Sequence, residues 1–312
     1  MIPSRKTLVP AALCLAAGYL CTATAWADPL RVFFRGGPKS HGPNAHEHER
    51  FMKDWTKLLN ERGAKAEGGM DWPTAEQFQK SDVVVAYAQE GGDATPEQQK
   101  LIEDFVKRGG GLVVIHTASV SMKAPTWWKG VIGGSWVPGK TKWKEGPMDL
   151  YYTENQFIGG GHPITHGAAN FHLDDEIYYD MDISPDVRVL ATSYTPNVPS
   201  GRRQASQGAA HIYDIQPQMW VYEKTAEGGT QPYRAFVSLP GHLYGTFEMP
   251  HYRAILLRGM SWAAKDDPAP ISYDPVGPRA RFVLHVGEML RAARATQPVV
   301  RRFFSFHGGG RG

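Results

Sequence analysis

Cysteine is nearly absent from this sequence of 312 residues, in which only Cys14 and Cys21 occur. Both lie in an N-terminal segment that we expect to be removed, so the chain from Asp28 onwards would contain no cysteine. Such a chain has no disulfide, no thiolate metal ligand and no cysteine nucleophile. It is suited to an oxidising compartment.

A long apolar run is also missing. The run from Thr7 to Cys21 is too short to cross a bilayer, which takes about 20 residues. Basic residues precede it, and Ala25-Trp26-Ala27 has the A-x-A form of a cleavage site. We therefore predict a signal peptide over residues 1–27, and a periplasmic or secreted product without a membrane span.

The chain has little excess charge of either sign. Removal of Arg5 and Lys6 leaves 32 of its 34 basic residues against 31 acidic ones, a net charge near +1. Nothing in that balance indicates nucleic acid as a partner. Residues 268–312 differ, because they carry seven arginines and several prolines. We expect a flexible tail there or, alternatively, a segment that docks on a partner.

Alternation of apolar strands and amphipathic helices predicts the fold. Apolar runs at 30–35, 82–88 and 111–117 indicate buried strands, and helices are expected over 44–62 and from the Thr95-Pro96-Glu97-Gln98 capping box to Gly109. Further strands are predicted at 178–182, 187–194, 218–222 and 234–239, and a closing helix at 251–264. This pattern predicts one doubly wound α/β domain over residues 28–267, with a mostly parallel sheet. A tryptophan-rich loop insertion is expected over 121–146.

Histidines and carboxylates follow the predicted strands. Ligands of open α/β sheets bind beyond the carboxyl ends of the strands. Imidazole and carboxylate groups in that position are suited to binding a divalent metal, with zinc as first choice, or to acid–base chemistry near neutral pH. We predict as metal ligands His41, His46, His48 and His242. We predict as catalytic residues His116, Glu90, Glu176 and Asp175.

Each assignment has a structural alternative. The histidines at 41, 46 and 48 lie where a helix starts and could cap its amides. His116 could be a hydrogen-bonded core histidine, and residues 174–176 could form a solvated acidic face. His162 and His166 are expected to stabilise a turn. No phosphate-binding loop or serine-hydrolase motif occurs, so we expect no nucleotide cofactor.

An ordered series of motifs covers residues 30–265. In chain order these are GGPKSHGPNAHEHE, GGGLVVIHTAS, IGGSW, GGGHPITHG, HLDDEIYY, YRAFVSLPGHLYGTF and RAILLRGMSWAA. The series resembles the ThuA-like (trehalose utilisation) family. That resemblance implies a flavodoxin or class I glutamine amidotransferase-like fold and a role in disaccharide use, notably of 3-keto derivatives. Amidotransferases of this fold place a cysteine after the strand that ends here at His116, so the lack of one excludes thiolate-dependent glutamine hydrolysis.

Two hypotheses about function follow. In the first, the chain is an enzyme acting on a disaccharide or its 3-keto derivative, with Trp127, Trp128 and Trp136 stacking on the sugar ring. In the second, it is a non-catalytic carbohydrate-binding or accessory module of a periplasmic sugar-oxidation system. Its partner is a small-molecule carbohydrate in both cases. The oligomeric state, including a homo-oligomer, stays open.

Overall fold

The computed structural model describes residues 28–153, 161–195 and 214–266. The predicted signal peptide and tail lie outside the described residues. Among the helices in those three ranges, none combines the length and the apolar character needed to cross a membrane. The strands are β1 (Arg31–Arg35), β2 (Lys65–Gly69), β3 (Val83–Ala86), β4 (Gly111–Ile115), β5 (Gly134–Ser135), β6 (Lys142–Tyr152), β7 (Phe171–Tyr179), β8 (Asp182–Ile183), β9 (Arg188–Tyr194), β10 (Ile215–Thr225) and β11 (Pro232–Ser238). The helices are α1 (His48–Glu61), α2 (Ala75–Lys80), α3 (Pro96–Lys107), α4 (Pro125–Ile132), α5 (Tyr244–Glu248) and α6 (Pro250–Ala263).

One large sheet organises the fold, with strand order β2-β1-β3-β4-β11-β10-β9-β6-β7. The first five strands pair in parallel. From β11 onwards every pairing is antiparallel. The predicted doubly wound, parallel α/β core is therefore confirmed, and an antiparallel extension continues it on one side.

Helices cover both faces of the sheet because each carries one apolar stripe. Helix α1 buries Phe51, Trp55 and Leu59 in one apolar cluster together with α6. Helix α3 buries Ile102 and Phe105 in the cluster on the other face. The capping box predicted at Thr95 is present, since its side chain accepts from the amide of Gln98 at 3.3 Å.

Several elements differ from the sequence-based expectations. Strand β2 and helix α2 were not predicted, because the sequence KAEGG of β2 is polar and lies at the sheet edge. The stretch 121–146, expected as a loop, contains α4, β5 and the start of β6. The strand expected at 178–182 begins at Phe171, because β7 alternates polar and apolar residues in its first half.

Candidate metal centre

Four buried side chains from four segments converge beyond the carboxyl end of β4. They are His46 from the loop after β1, His116 after β4, His242 after β11, and Glu176 on β7. One ligand atom from each lies within 4.8 Å of every other. Their exposed fractions are 1%, 0%, 2% and 6% in that order. We call these four residues the histidine–glutamate cluster.

The sheet has to curl to bring Glu176 into this cluster. Five steps of the strand order separate β7 from β4, which in a flat sheet would be about 24 Å at about 4.8 Å a step. Yet Oε2 of Glu176 lies 3.3 Å from Nε2 of His116. The antiparallel hairpin β6–β7 therefore folds back over the carboxyl edge of the parallel strands.

Sharp backbone turns orient the rings of His46 and His116 towards the cluster. His46 has φ 48° and His116 has φ 51°, and two further non-glycine residues with positive φ, His41 and Asn44, belong to the loop of His46. Left-handed backbone at a non-glycine residue costs of order 1–3 kcal/mol and occurs most often at functional sites. At His116 the turn ends β4 and directs the ring back across the sheet edge.

Four of the six distances within the cluster lie near the edge length of a coordination tetrahedron, and the other two are at most 4.8 Å. Nε2 of His46 lies 3.1 Å from Nε2 of His116 and 2.9 Å from Nδ1 of His242. Oε2 of Glu176 lies 3.3 Å from Nε2 of His116 and 3.4 Å from Nδ1 of His242. Ligands placed about 2.0–2.1 Å from one zinc ion in tetrahedral geometry are about 3.3–3.4 Å apart.

Outer hydrogen bonds fix which nitrogen of each histidine faces inwards. Nδ1 of His116 lies 2.7 Å from the carbonyl of Leu239, so Nδ1 carries the proton and Nε2 the lone pair. Nε2 of His242 lies 3.3 Å from Oε1 of Glu145, which leaves Nδ1 of His242 as the inward lone pair. A carbonyl or carboxylate behind the imidazole is the usual outer partner of a metal-bound histidine.

His46 is oriented in the same way through a hydroxyl group. The Ser40 hydroxyl donates to Oε1 of Gln89 at 3.1 Å, so its oxygen accepts from Nδ1 of His46 at 2.9 Å. Nε2 of His46 then points its lone pair at the other two rings. In these tautomers three imidazole nitrogens and a carboxylate face one another, an arrangement that a bound cation would stabilise in place of the protons they otherwise share. The histidine–glutamate cluster can therefore hold a metal ion.

The electrostatics favour the metal-binding protonation states of His46 and Glu176, but not of His242. Burial and the neighbouring His116 and His242 lower the pKa of His46 to about 2. Burial opposes ionisation of Glu176, but hydrogen bonds to His116 and His242 outweigh it and lower the pKa of Glu176 to about 2. For His242 burial lowers the pKa, but Glu176 outweighs burial and raises the pKa above its ordinary value. At neutral pH the cluster therefore contains an unprotonated His46 and an ionised Glu176.

Asp175 holds the loop that carries His242. Its Oδ1 accepts from the backbone amides of His242 at 2.9 Å and of Glu176 at 2.8 Å, and both oxygens accept from the amide of Gly241 at 3.1 Å. The hydroxyl of Thr246 donates to Oδ2. Asp175 is 1% exposed and its oxygens are committed to these donors, so it positions the ligand loop.

The structure places the other predicted histidines beside the cluster. His41 is exposed, with its ring centre 3.9 Å from that of His46 and 5.7 Å from that of His242. The ring of His48 is buried behind His46, and its Nδ1 donates to the carbonyl of Pro38 at 3.0 Å. The four-residue group does not include either of them. Its other members, His116 and Glu176, had been predicted as catalytic residues.

The remaining predicted site residues lie at different depths. Glu90 is solvent-exposed on the loop after β3, outside the buried group. Trp128 is 0% exposed, and its indole donates to the carbonyl of Ala118 at 2.9 Å. The prediction that Trp128 stacks on a sugar is therefore wrong, because α4 buries the ring in the apolar core. Trp127 is half-buried and donates to Glu103.

Sequence analysis missed three residues that support the cluster: Ser40, Glu145 and Tyr178. The Tyr178 ring stacks on His116 with ring centres 4.7 Å apart, and its hydroxyl lies 3.2 Å from Nε2 of His116. Burial, and then the Glu176 carboxylate, raise the pKa of Tyr178 well above its usual value, so it stays a phenol donor at neutral pH. The ring centre of Trp136 lies 5.0 Å from that of Tyr178, so this predicted tryptophan contacts a residue that supports the cluster. Strand alternation was the available signal, since residues 176 and 178 share one face of β7.

Comparison with known proteins agrees with this fold. The family model for ThuA, described as trehalose utilisation, matches residues 39–263. A ThuA-like protein of Bacteroides uniformis is similar in structure, with TM-score 0.55 and 17% identity over 79% of this chain and 98% of that one. One from Parabacteroides merdae gives TM-score 0.53 and 18% identity over 76% and 90%. Among curated proteins no significant match was found. The chain, from its family match and its fold, belongs to the ThuA family.

Proposed function

We propose that this ThuA-family protein binds one divalent metal ion, with zinc as first choice, through the histidine–glutamate cluster. The observation that supports this most is the convergence of three buried imidazoles and one buried carboxylate, with ligand atoms 2.9–3.4 Å apart in four of the six pairs. Nitrogen and oxygen ligands in that geometry are typical of zinc sites. All three imidazoles also have the outer partners that such sites use.

We further propose that the ligand is a carbohydrate, a disaccharide or its 3-keto derivative. The family's description as trehalose utilisation supports this substrate class. Polar side chains at the rim of the cluster, notably the exposed carboxylate of Glu145 and the exposed ring of His41, suit a hydroxyl-rich ligand. We also propose export, which the N-terminal signal supports, and mass spectrometry of the exported protein should show Asp28 as its first residue.

The site's own residues define what chemistry it can perform. A metal ion bound here would polarise a carbonyl or hydroxyl oxygen of the sugar. Tyr178 is buried and remains protonated beside Glu176, so it donates within the site and helps to hold Glu176 and His116 in place. Burial, and then His242, lower the pKa of His41, so its exposed imidazole is neutral at pH 7 and can accept a proton.

A second function is favoured by the closure of the site. Four protein ligands, each at most 6% exposed, resemble a structural zinc site, whereas catalytic zinc keeps one position open. In that case the metal stabilises the fold, and the protein is a carbohydrate-binding or accessory module without turnover.

Elemental analysis of the purified protein tests the metal. We expect one equivalent of metal in the wild type and loss of it in His116→Ala and in Glu176→Gln. The matched control is His172→Ala, because His172 is an exposed histidine that contacts Asp149 away from the cluster. A wild type without stoichiometric metal, or cluster variants that keep it, would contradict the proposal.

A sugar assay then separates the two functions. The metal-loaded and the chelator-treated proteins are incubated with disaccharides and their 3-keto forms, and binding and conversion are both measured. Metal-dependent conversion supports the enzyme. Binding without conversion, together with a large loss of thermal stability on metal removal, supports the accessory module.

A further inference from the structure

Two neighbouring side chains at the carboxyl end of β1 have buried donors with no acceptor. Nε and Nη1 of Arg35, and Nε1 of Trp72, are buried and without a hydrogen-bond partner among the described residues. The guanidinium carbon of Arg35 lies 5.1 Å from the centre of the Trp72 ring. Buried polar groups in folded proteins nearly always have a partner, so donors left over in one place call for an explanation.

These donors lie where the fold places ligands. Strands β2 and β3, which follow β1 in the chain, lie on opposite sides of β1 in the sheet. The crevice between β1 and β3 is therefore a topological switch point. Ligands of open α/β sheets bind at that point, beyond the carboxyl ends of the strands. Arg35 is the last residue of β1.

The location is distinct from the histidine–glutamate cluster. Phe33 and Trp72 belong to the apolar cluster on the face opposite α1, and strand alternation puts Arg35 on the same face as Phe33. Within the described part of the chain, the ring contacts of Trp72 are to Arg35 and Trp128. None of these residues is a member of the histidine–glutamate cluster.

The protein supplies little charge compensation to Arg35. No described carboxylate forms an ion pair with it, whereas Arg31 on the same strand pairs with Asp82. Asp71 acts on Arg35 electrostatically, but Oδ1 of Asp71 already accepts from the Trp72 amide at 2.7 Å and from Gln98 at 3.0 Å. Burial outweighs Asp71 and lowers the pKa of Arg35 to about 10, so the side chain is still a cation at neutral pH.

We propose that Arg35 and Trp72 form a binding site for a small oxyanion, a phosphate or carboxylate group, at the β1/β3 switch point. Guanidinium groups bind both anions through several parallel hydrogen bonds. Arg35 as a whole is only half-buried, although its Nε and Nη1 are buried, so an anion would approach the exposed part of the side chain first. A small rotation of the side chain would then turn its unpaired nitrogens towards the anion, and the indole N–H adds a neutral donor.

Equilibrium dialysis with labelled inorganic phosphate tests the site in the full-length protein as purified, because phosphate held by a metal at the histidine–glutamate cluster would bind Arg35→Met as it binds the wild type. We expect one equivalent bound by the wild type, competition by acetate, and affinity reduced at least tenfold in Arg35→Met. Trp72→Phe keeps the ring, loses only the indole donor and should weaken binding severalfold. It also serves as the test variant if Arg35→Met does not fold.

The matched control is Arg108→Met. Arg108 is an exposed arginine whose Nη2 donates to the carbonyls of Phe78 and Ser81, so this donor group serves the protein itself. This variant should bind phosphate as the wild type does. Absence of phosphate and acetate binding in the wild type, or equal binding in wild type, Arg35→Met and Trp72→Phe, would overturn the proposal and leave an ordered water as the partner of these donors.

Discussion

The buried carboxylate of Asp175 should couple the stability of the fold to the affinity of the metal site. In Asp175→Asn the volume stays constant, but one carboxylate oxygen becomes an amide that faces the N–H of Gly241, and the remaining hydrogen bonds lose their charge. Four donors contact this carboxylate. Since hydrogen bonds to a charged group are worth about 1.5–3 kcal/mol each, we expect a loss of about 2–4 kcal/mol in the free energy of unfolding.

Urea unfolding measures this loss, and calorimetric metal titration measures the second effect. Because Asp175 holds the amide of His242, metal affinity should fall about 10- to 100-fold, as for other outer-sphere changes. Asp149→Asn is the control, since Asp149 contacts exposed His172 and half its side chain is exposed. A change below about 1 kcal/mol in Asp175→Asn would refute the reasoning, since an unsatisfied buried donor alone costs about 1–3 kcal/mol.

Four further predictions concern pH and packing. Glu176 raises the pKa of His242, so a proton on His242 competes with the metal up to a pH above the ordinary pKa of histidine. Metal affinity, measured by competition with a chelator, should therefore decline as the pH falls from 8 to 6. An affinity that does not change with pH would count against the site. Conversely, the stabilisation that protonated His242 gives the metal-free protein is present at low pH and should be lost as the pH rises through its raised pKa. Trp128→Ala should destabilise the fold by about 3–5 kcal/mol in urea unfolding, whereas a sugar-stacking role would alter carbohydrate affinity with little loss of stability. Gly92→Ala should cost about 1–3 kcal/mol, because its Cβ would lie 2.4 Å from the Trp128 ring, and an unchanged melting temperature would contradict that packing.

The parallel half of the fold could be predicted because its signals are local. Continuous apolar runs such as 83–86 and 111–115 fit only strands that are covered on both faces. The Thr95 capping box fixes the start of α3 from four adjacent residues. In contrast, β2 carries little apolar signal, and its pairing with β1 depends on tertiary contacts.

The site was predictable as a location but not as a ligand set. The rule that loops after parallel strands meet at one edge predicted that His41, His116 and His242 would meet. The loop after β1 does meet the other two histidines, but through His46, whereas His41 is exposed. The rule did not distinguish His48, whose Nδ1 donates to the carbonyl of Pro38. Which histidine of this loop becomes a ligand depends on the conformation of the loop, and no periodic sequence pattern reveals that conformation. The sequence likewise does not show that Trp128 is buried, because its burial depends on the position of α4 in the fold.

The fourth ligand shows why this metal centre depends on the antiparallel extension. Adjacent residues on β7 project to opposite faces, so Asp175 reaches the 239–242 loop while Glu176 reaches His116 and His242. Glu145, opposite Glu176 in the β6–β7 register, contacts the outer nitrogen of His242. The parallel strands alone therefore present three imidazoles without the carboxylate that balances a cation's charge. The folded-back hairpin supplies that carboxylate and an outer partner for His242, so it must dock before the centre is complete.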